Sequence, residues 1–166
     1  MSDEIKVLSV GAGFMGSLHA KAYAQIEGVR NVGIVTRSMA SSESLAEELG
    51  GDIPRFTDFE EALEQTQPDA VAISTYTDSH YHYVSTSLKR GLDVFVEKPL
   101  AETIEECQEL FDLANEVNKK LYVGYILMTH PSWNKFIDVS HELGKPLGMR
   151  MNLNQQAKGD FYDTLH

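Results

Sequence analysis

Ile5-Lys6-Val7-Leu8-Ser9-Val10-Gly11-Ala12-Gly13-Phe14-Met15-Gly16 is the stretch on which the fold of this chain turns. A short apolar run of strand character meets three glycines spaced as G-x-G-x-x-G, and a helical pattern from Phe14 to Gln25 follows at once. Each glycine has a physical task. Gly11 permits a tight turn, Gly13 lets the backbone approach a pyrophosphate, and Gly16 lets the helix pack close to the strand. The helix N-terminus, with Phe14 and Met15 in its first turn, then offers N–H groups and partial positive charge to phosphate. Methyltransferases and chance turns produce the same spacing, so the motif needs its surroundings.

Working outward, apolar runs alternate with helical patterns along the chain. Strands are expected at Asn31–Thr36, around Phe56, at Ala70–Ser74, Val94–Val96 and Leu121–Gly124, with Pro54 keeping the third one short. Helices are expected over Leu45–Leu49, after Asp58, over Tyr81–Arg90 and from Thr103 to about Asn118. Asp58 with Glu61 and Thr103 with Glu106 have capping-box spacing, and Gly91 is a C′ residue. Alternation of this kind predicts an α/β fold: a doubly wound parallel Rossmann sheet with helices on both faces, occupying residues 1–124. Residues 125–166 read as a linker helix, Ser132–Leu143, then Gly144-Lys145-Pro146 and a strand at Leu147–Leu153, the incomplete start of a second α+β domain.

The 166 residues suffice for one domain of ordinary size, and a composition 42% hydrophobic and 23% charged is globular. Lys plus Arg number 14 against 25 Asp plus Glu, a net charge of −11 that disfavours nucleic acid and anionic membrane as partners. No apolar stretch approaches the roughly 20 residues of a membrane helix. Met1-Ser2-Asp3-Glu4 is not a secretory leader, and Cys107 stands alone, so a reducing cytoplasm is the expected compartment. Cys107 lies among Glu102, Glu105, Glu106 and Glu109, which makes a reactive thiol unexpected. No metal is expected either: His80, His82 and Asp78 lack a plausible set of further ligands.

About 20 residues beyond Gly16, where an Asp or Glu would hold the ribose 2′-OH of NAD, stands Thr36-Arg37-Ser38. A guanidinium and two hydroxyls suit a 2′-phosphate, so NADP is the expected cofactor and NAD the second choice. Glu97-Lys98-Pro99 falls where the fifth strand ends, at the carboxyl edge where ligands bind in open α/β sheets. A lysine there can hand over a proton or orient a hydroxyl; the plain alternative is a loop salt bridge.

Three segments in order, Gly11-Ala12-Gly13-Phe14-Met15-Gly16-Ser17-Leu18-His19-Ala20, Thr75-Tyr76-Thr77-Asp78-Ser79-His80 and Glu97-Lys98-Pro99-Leu100-Ala101, resemble the Gfo/Idh/MocA family. The likeness is strong to about residue 124 and loose beyond. It implies an NAD(P)-dependent dehydrogenase or reductase passing hydride between nicotinamide and a secondary alcohol or ketone of a sugar, sugar derivative or polyol. It also implies a homo-oligomer. By resemblance Lys98 is the catalytic lysine, Glu97 contacts the cofactor, and the bond before Pro99 is cis. Ser74, Thr75, Tyr76 and His80 line the dinucleotide, with Tyr76 standing where the family usually has Pro. Ile126-Leu127-Met128-Thr129-His130-Pro131 lacks the Arg the family often carries there. Asp163 and His166 resemble a catalytic pair, yet they lie three residues apart where the family has four. Those departures leave a second reading open, a non-catalytic dinucleotide-binding homologue. His19, one turn into the first helix, reads as a packing or phosphate-neighbouring residue.

Overall fold

A computed structural model describes residues 4–144. The chain divides into two compact units, one ending at Tyr125 and the other beginning at Ile126. In the first, six strands form one parallel sheet in the order β3-β2-β1-β4-β5-β6. They are β1 Ile5–Val10, β2 Val29–Val35, β3 Arg55–Phe56, β4 Ala70–Ile73, β5 Asp93–Val96 and β6 Leu121–Val123. This is the doubly wound Rossmann order, which reverses between β1 and β4 and opens a crevice there.

The helices are α1 Phe14–Tyr23, α2 Glu43–Glu48, α3 Phe59–Thr66, α4 His80–Lys89 and α5 Ile104–Glu116. The larger core joins Phe59 and Leu63 of α3, Val84 and Leu88 of α4 and Leu110 of α5 to Leu8, Val10, Val71 and Val96 of the sheet. The opposite face holds a smaller core of Ala20, Ile34, Leu45 and Ala46, from α1, β2 and α2. Fully buried side chains such as Leu8 and Leu88, both 0% exposed, each contribute about 2 kcal/mol.

Element ends differ from expectation where local hydrogen bonds compete. The first helix stops at Tyr23, because Gln25 and Ile26 donate to residues three back, Ala22 and Tyr23, and tighten the turn. Before α2 a 3₁₀ turn, Met39–Ser42, replaces regular helix, with the Ser42 hydroxyl donating to the Met39 carbonyl. Asp58 caps α3 by accepting from Glu61 N–H at 2.8 Å. The reciprocal half of that box is not made, since Glu61 accepts from Gln65 Nε2 instead. On α5 the Thr103–Glu106 box is complete, and Gly91, φ +74°, follows α4 as expected.

In the second unit the described residues form a 3₁₀ turn, Ile126–Met128, and α6, Pro131–Glu142. No helix among the described residues is long and apolar enough to cross a membrane. The expected strand Leu147–Leu153 and the candidates Asp163 and His166 lie outside the described residues.

Candidate functional site

Four strands leave the sheet at one level. Val10 is in register with Val35 and with Ile73, and Ile73 with Val96. The next residues, Gly11, Thr36, Ser74 and Glu97, therefore start four neighbouring loops at the carboxyl edge. Their first N–H groups continue the ladder: Gly11 donates to Val35, Ser74 to Val10 and Glu97 to Ile73, at 2.8, 2.8 and 2.9 Å. The sheet thus gathers Gly11–Gly16, Thr36–Ser38, Ser74–Tyr76 and Glu97–Lys98.

The three glycines answer to different constraints. Gly11 has φ +98°, and a Cβ there would collide with the Ser74 carbonyl; one on Gly16 would collide with the Gly11 carbonyl. Both are demanded by the turn itself. Gly13, the N-cap of α1, has φ −70°, and a Cβ on it would meet nothing within 4 Å. The fold makes no demand for glycine at that position. No side chain caps α1, and the Ser74 hydroxyl is buried beside the turn without a partner among the described residues. A buried hydroxyl left unpaired is uncommon and calls for a ligand or water.

At the end of β2, Thr36 is buried, and its hydroxyl donates to the Ser38 carbonyl at 2.8 Å. That proton braces the turn within its own loop. Ser38 shares a hydrogen bond with Ser41 at 2.7 Å. Arg37 is exposed, its guanidinium 5.2 Å from the centre of the Tyr76 ring. Arg55 of β3 donates to the Met39 carbonyl at 3.3 Å, a second cation beside this loop that the sequence reading missed.

Lys98 is exposed, and the Lys98–Pro99 bond is cis, as the resemblance implies. Glu97, which the resemblance sets against the cofactor, is buried at the same edge. It is 7% exposed, with Oε1 2.8 Å from His19 Nε2 and Oε2 accepting from Lys98 N–H at 3.3 Å. Its oxygens face inward partners, and His19 ties the glycine helix to the strand that ends in Lys98. The His19 ring also packs on Phe95 at 4.7 Å. Sequence spacing makes His19 a packing or phosphate-neighbouring residue, and the Gly16-to-His19 interval, one helical turn, is the available signal for its place beside the glycine turn. Burial, and then the charge of Glu97, push the Tyr23 phenol above its ordinary value.

His80, which the resemblance sets along the dinucleotide, is buried. It is 1% exposed, with Nδ1 2.8 Å from the Pro99 carbonyl and Nε2 3.2 Å from that of Thr75. Those two contacts link the loops that follow β4 and β5. Among the described residues no group of His, Cys, Asp and Glu has the makings of a metal centre.

Fold and site together define a dinucleotide-binding type of α/β domain. The chain belongs to the Gfo/Idh/MocA family, whose model, an oxidoreductase family with an NAD-binding Rossmann fold, matches residues 5–125. A scyllo-inositol 2-dehydrogenase (NAD(+)) of Bacillus subtilis (strain 168) is 30% identical over 152 residues, covering 89% of this chain and 44% of the relative. A protein named glycosyl hydrolase family 109 protein 1, from Akkermansia muciniphila, is 31% identical over 125 residues, 70% of this chain and 26% of its own. The structure of scyllo-inositol dehydrogenase from Lactobacillus casei, with NAD(H) and scyllo-inositol bound, superposes with a TM-score of 0.75 at 25% identity, covering 84% of this chain and 41% of that one. The chain spans between about a quarter and a half of the length of these relatives.

Proposed function

We propose that the chain is the cofactor-binding half of an NADP-preferring dehydrogenase or reductase acting on a sugar, sugar derivative or polyol. The observation that carries the dinucleotide reading is Gly13: an ordinary backbone, open space above it and no packing reason to lack a side chain. The uncapped α1 and the unpartnered Ser74 hydroxyl support a phosphate-bearing ligand in that space. Phe14 and Met15 would offer backbone N–H groups to the pyrophosphate. Arg37 would meet the 2′-phosphate, with Thr36 and Ser38 shaping its turn and Arg55 adding positive potential. Ser74, Thr75 and Tyr76 would line the opposite wall.

A bound nicotinamide supplies the hydride acceptor or donor. Lys98, at the end of β5, would hold or release the proton of the substrate hydroxyl, and Glu97 with His19 would keep the Lys98 backbone in place. Asp163 and His166 remain candidates for the substrate side by resemblance alone. Relatives sharing this half carry dehydrogenase and glycosyl hydrolase names, so these residues speak to the cofactor more directly than to the net reaction. A homo-oligomer in the cytoplasm belongs to the same proposal.

Calorimetric titration with NADPH and NADH tests it. Gly13→Val is expected to melt like the parent and to lose both cofactors, because its side chain fills space that only a ligand uses. Arg37→Ala is expected to cost NADPH about 1–3 kcal/mol more than NADH, the scale of a lost charged hydrogen bond. Equal losses for the two cofactors would remove the NADP preference; full affinity in Gly13→Val would remove the dinucleotide site itself.

A further inference from the structure

Gly124 follows β6 and is buried. Its φ lies outside the left-handed region that Gly11 and Gly91 occupy, so its backbone is one that any residue adopts. Its N–H donates to the Val96 carbonyl at 2.8 Å, which carries the ladder with β5 one step past the strand. Phe95 is in register with Tyr122 and Val96 with Val123, and the next step sets Gly124 beside Glu97. Residues two apart on a strand share a face, so Phe95, Glu97 and the bare Cα of Gly124 meet on one side of the sheet. A Cβ on Gly124 would stand 3.2 Å from Phe95 Cζ, 3.3 Å from Glu97 Oε1 and 3.4 Å from Glu97 Cδ. Comfortable carbon contacts lie at about 3.5–4.0 Å, so the side chain is missing for want of space.

Both groups that take up this space grip the same imidazole. Glu97 Oε1 lies 2.8 Å from His19 Nε2, and the Phe95 ring centre lies 4.7 Å from that of His19. His19 stands three residues beyond Gly16 on α1, the helix whose N-terminus no side chain caps. On its other oxygen Glu97 accepts from the Lys98 N–H at 3.3 Å. Resting on the dinucleotide reading above, we propose that Gly124 is a positioning residue of the cofactor site. Its bare Cα makes the seat in which Glu97 and Phe95 hold His19, and through His19 the helix that meets the pyrophosphate. A side chain at 124 pushes the carboxylate and the ring away from the imidazole, and α1 loses its tie to β5. Backbone N–H groups bond an oxygen over only about 2.7–3.2 Å, so a helix displaced by about half an ångström already loses part of its hold. The edge strand β6 thereby acts on a ligand that it does not touch.

The test is titration of the 166-residue chain with NADPH and NADH at a temperature below every melting midpoint. The variants are Gly124→Ala, Gly124→Val and His19→Ala, and each Gly124 variant is also made in the His19→Ala background. Gly124→Val is expected to weaken both cofactors alike by about tenfold, within the coupling range of residues in contact. Gly124→Ala, which asks its neighbours to give by less, should cost about threefold. In the His19→Ala background either change should cost less than about twofold, because the ring it acts through is gone; a merely structural defect would add in full. Proton NMR without cofactor reads the seat itself: the nuclear Overhauser contact between the His19 and Phe95 rings should weaken in Gly124→Ala and vanish in Gly124→Val. Parent-like affinity in Gly124→Val, or a cost that persists in full without His19, would overturn the role of Gly124 and leave the dinucleotide site intact. Should Gly124→Val not fold, Gly124→Ala decides by the same comparison. A parent chain that binds neither cofactor would overturn both.

Discussion

Glu97 brings a carboxylate into a place that water barely reaches, and His19 is what makes that tolerable. Their side chains are 9% and 21% exposed at a separation of 2.8 Å. Removing the ring leaves Oε1 without a partner, and a fully buried pair broken on one side costs about 3–5 kcal/mol. Here one partner is a fifth exposed, so His19→Ala is expected to cost nearer about 2 kcal/mol, read from urea unfolding midpoints at constant slope. Glu97→Gln should cost less than His19→Ala, because a neutral amide tolerates the same site better; the reverse order would show that His19 only packs on Phe95. Tyr23 reports on the same carboxylate. Its phenol is raised above 10.0 by burial and by Glu97, so its contribution to stability is complete below pH 10 and is lost as pH climbs through the raised folded value. Alkaline titration at the phenolate absorbance should show a late tyrosine that Tyr23→Phe removes. Tyr81, raised chiefly by its hydrogen bond to Glu109, persists in that variant as a control.

Among the elements, α5 is the one whose start was fully readable. Thr103 accepts from Glu106 N–H at 3.1 Å, and Glu106 accepts from Thr103 N–H at 3.2 Å. Thr103→Ala is expected to cost about 1 kcal/mol with no change in cofactor affinity, measured by thermal unfolding beside a titration. Asp58 and Glu61 have the same spacing and make only half the motif, because Gln65 sits one turn further along to take the Glu61 carboxylate. The two cases separate what spacing determines from what a neighbour decides. Strand positions were legible for the same local reason, a short apolar run bounded by Gly or Pro. The helix ends at Tyr23 and Glu116 were not, since the choice between i−3 and i−4 bonding is settled by fractions of a kcal/mol.

For the molecule as a whole, a polypeptide of these 166 residues expressed alone is expected to bind NADPH and to show no steady-state turnover with sugars, inositols or their keto forms. The chain covers 44% of the Bacillus subtilis relative, and its described residues past Tyr125 are one 3₁₀ turn and one helix. Orientation of reactants is worth about 7–11 kcal/mol of a barrier, more than one lysine replaces. Saturable turnover that Lys98→Met abolishes would show this half to be sufficient. In a longer active form Lys98→Met should lower kcat by about 10²–10⁴. By itself the sequence determined the alternation of strand and helix, the glycine turn and the order of the four candidate loops, because each depends on residues a few positions apart. Only the tertiary structure decided that Glu97 turns inward to His19, that His80 links the loops after β4 and β5, and that Arg37 meets Tyr76. Those contacts span 78, 19 and 39 residues of chain, and distances of that kind are set by the register of the sheet, which no local pattern encodes.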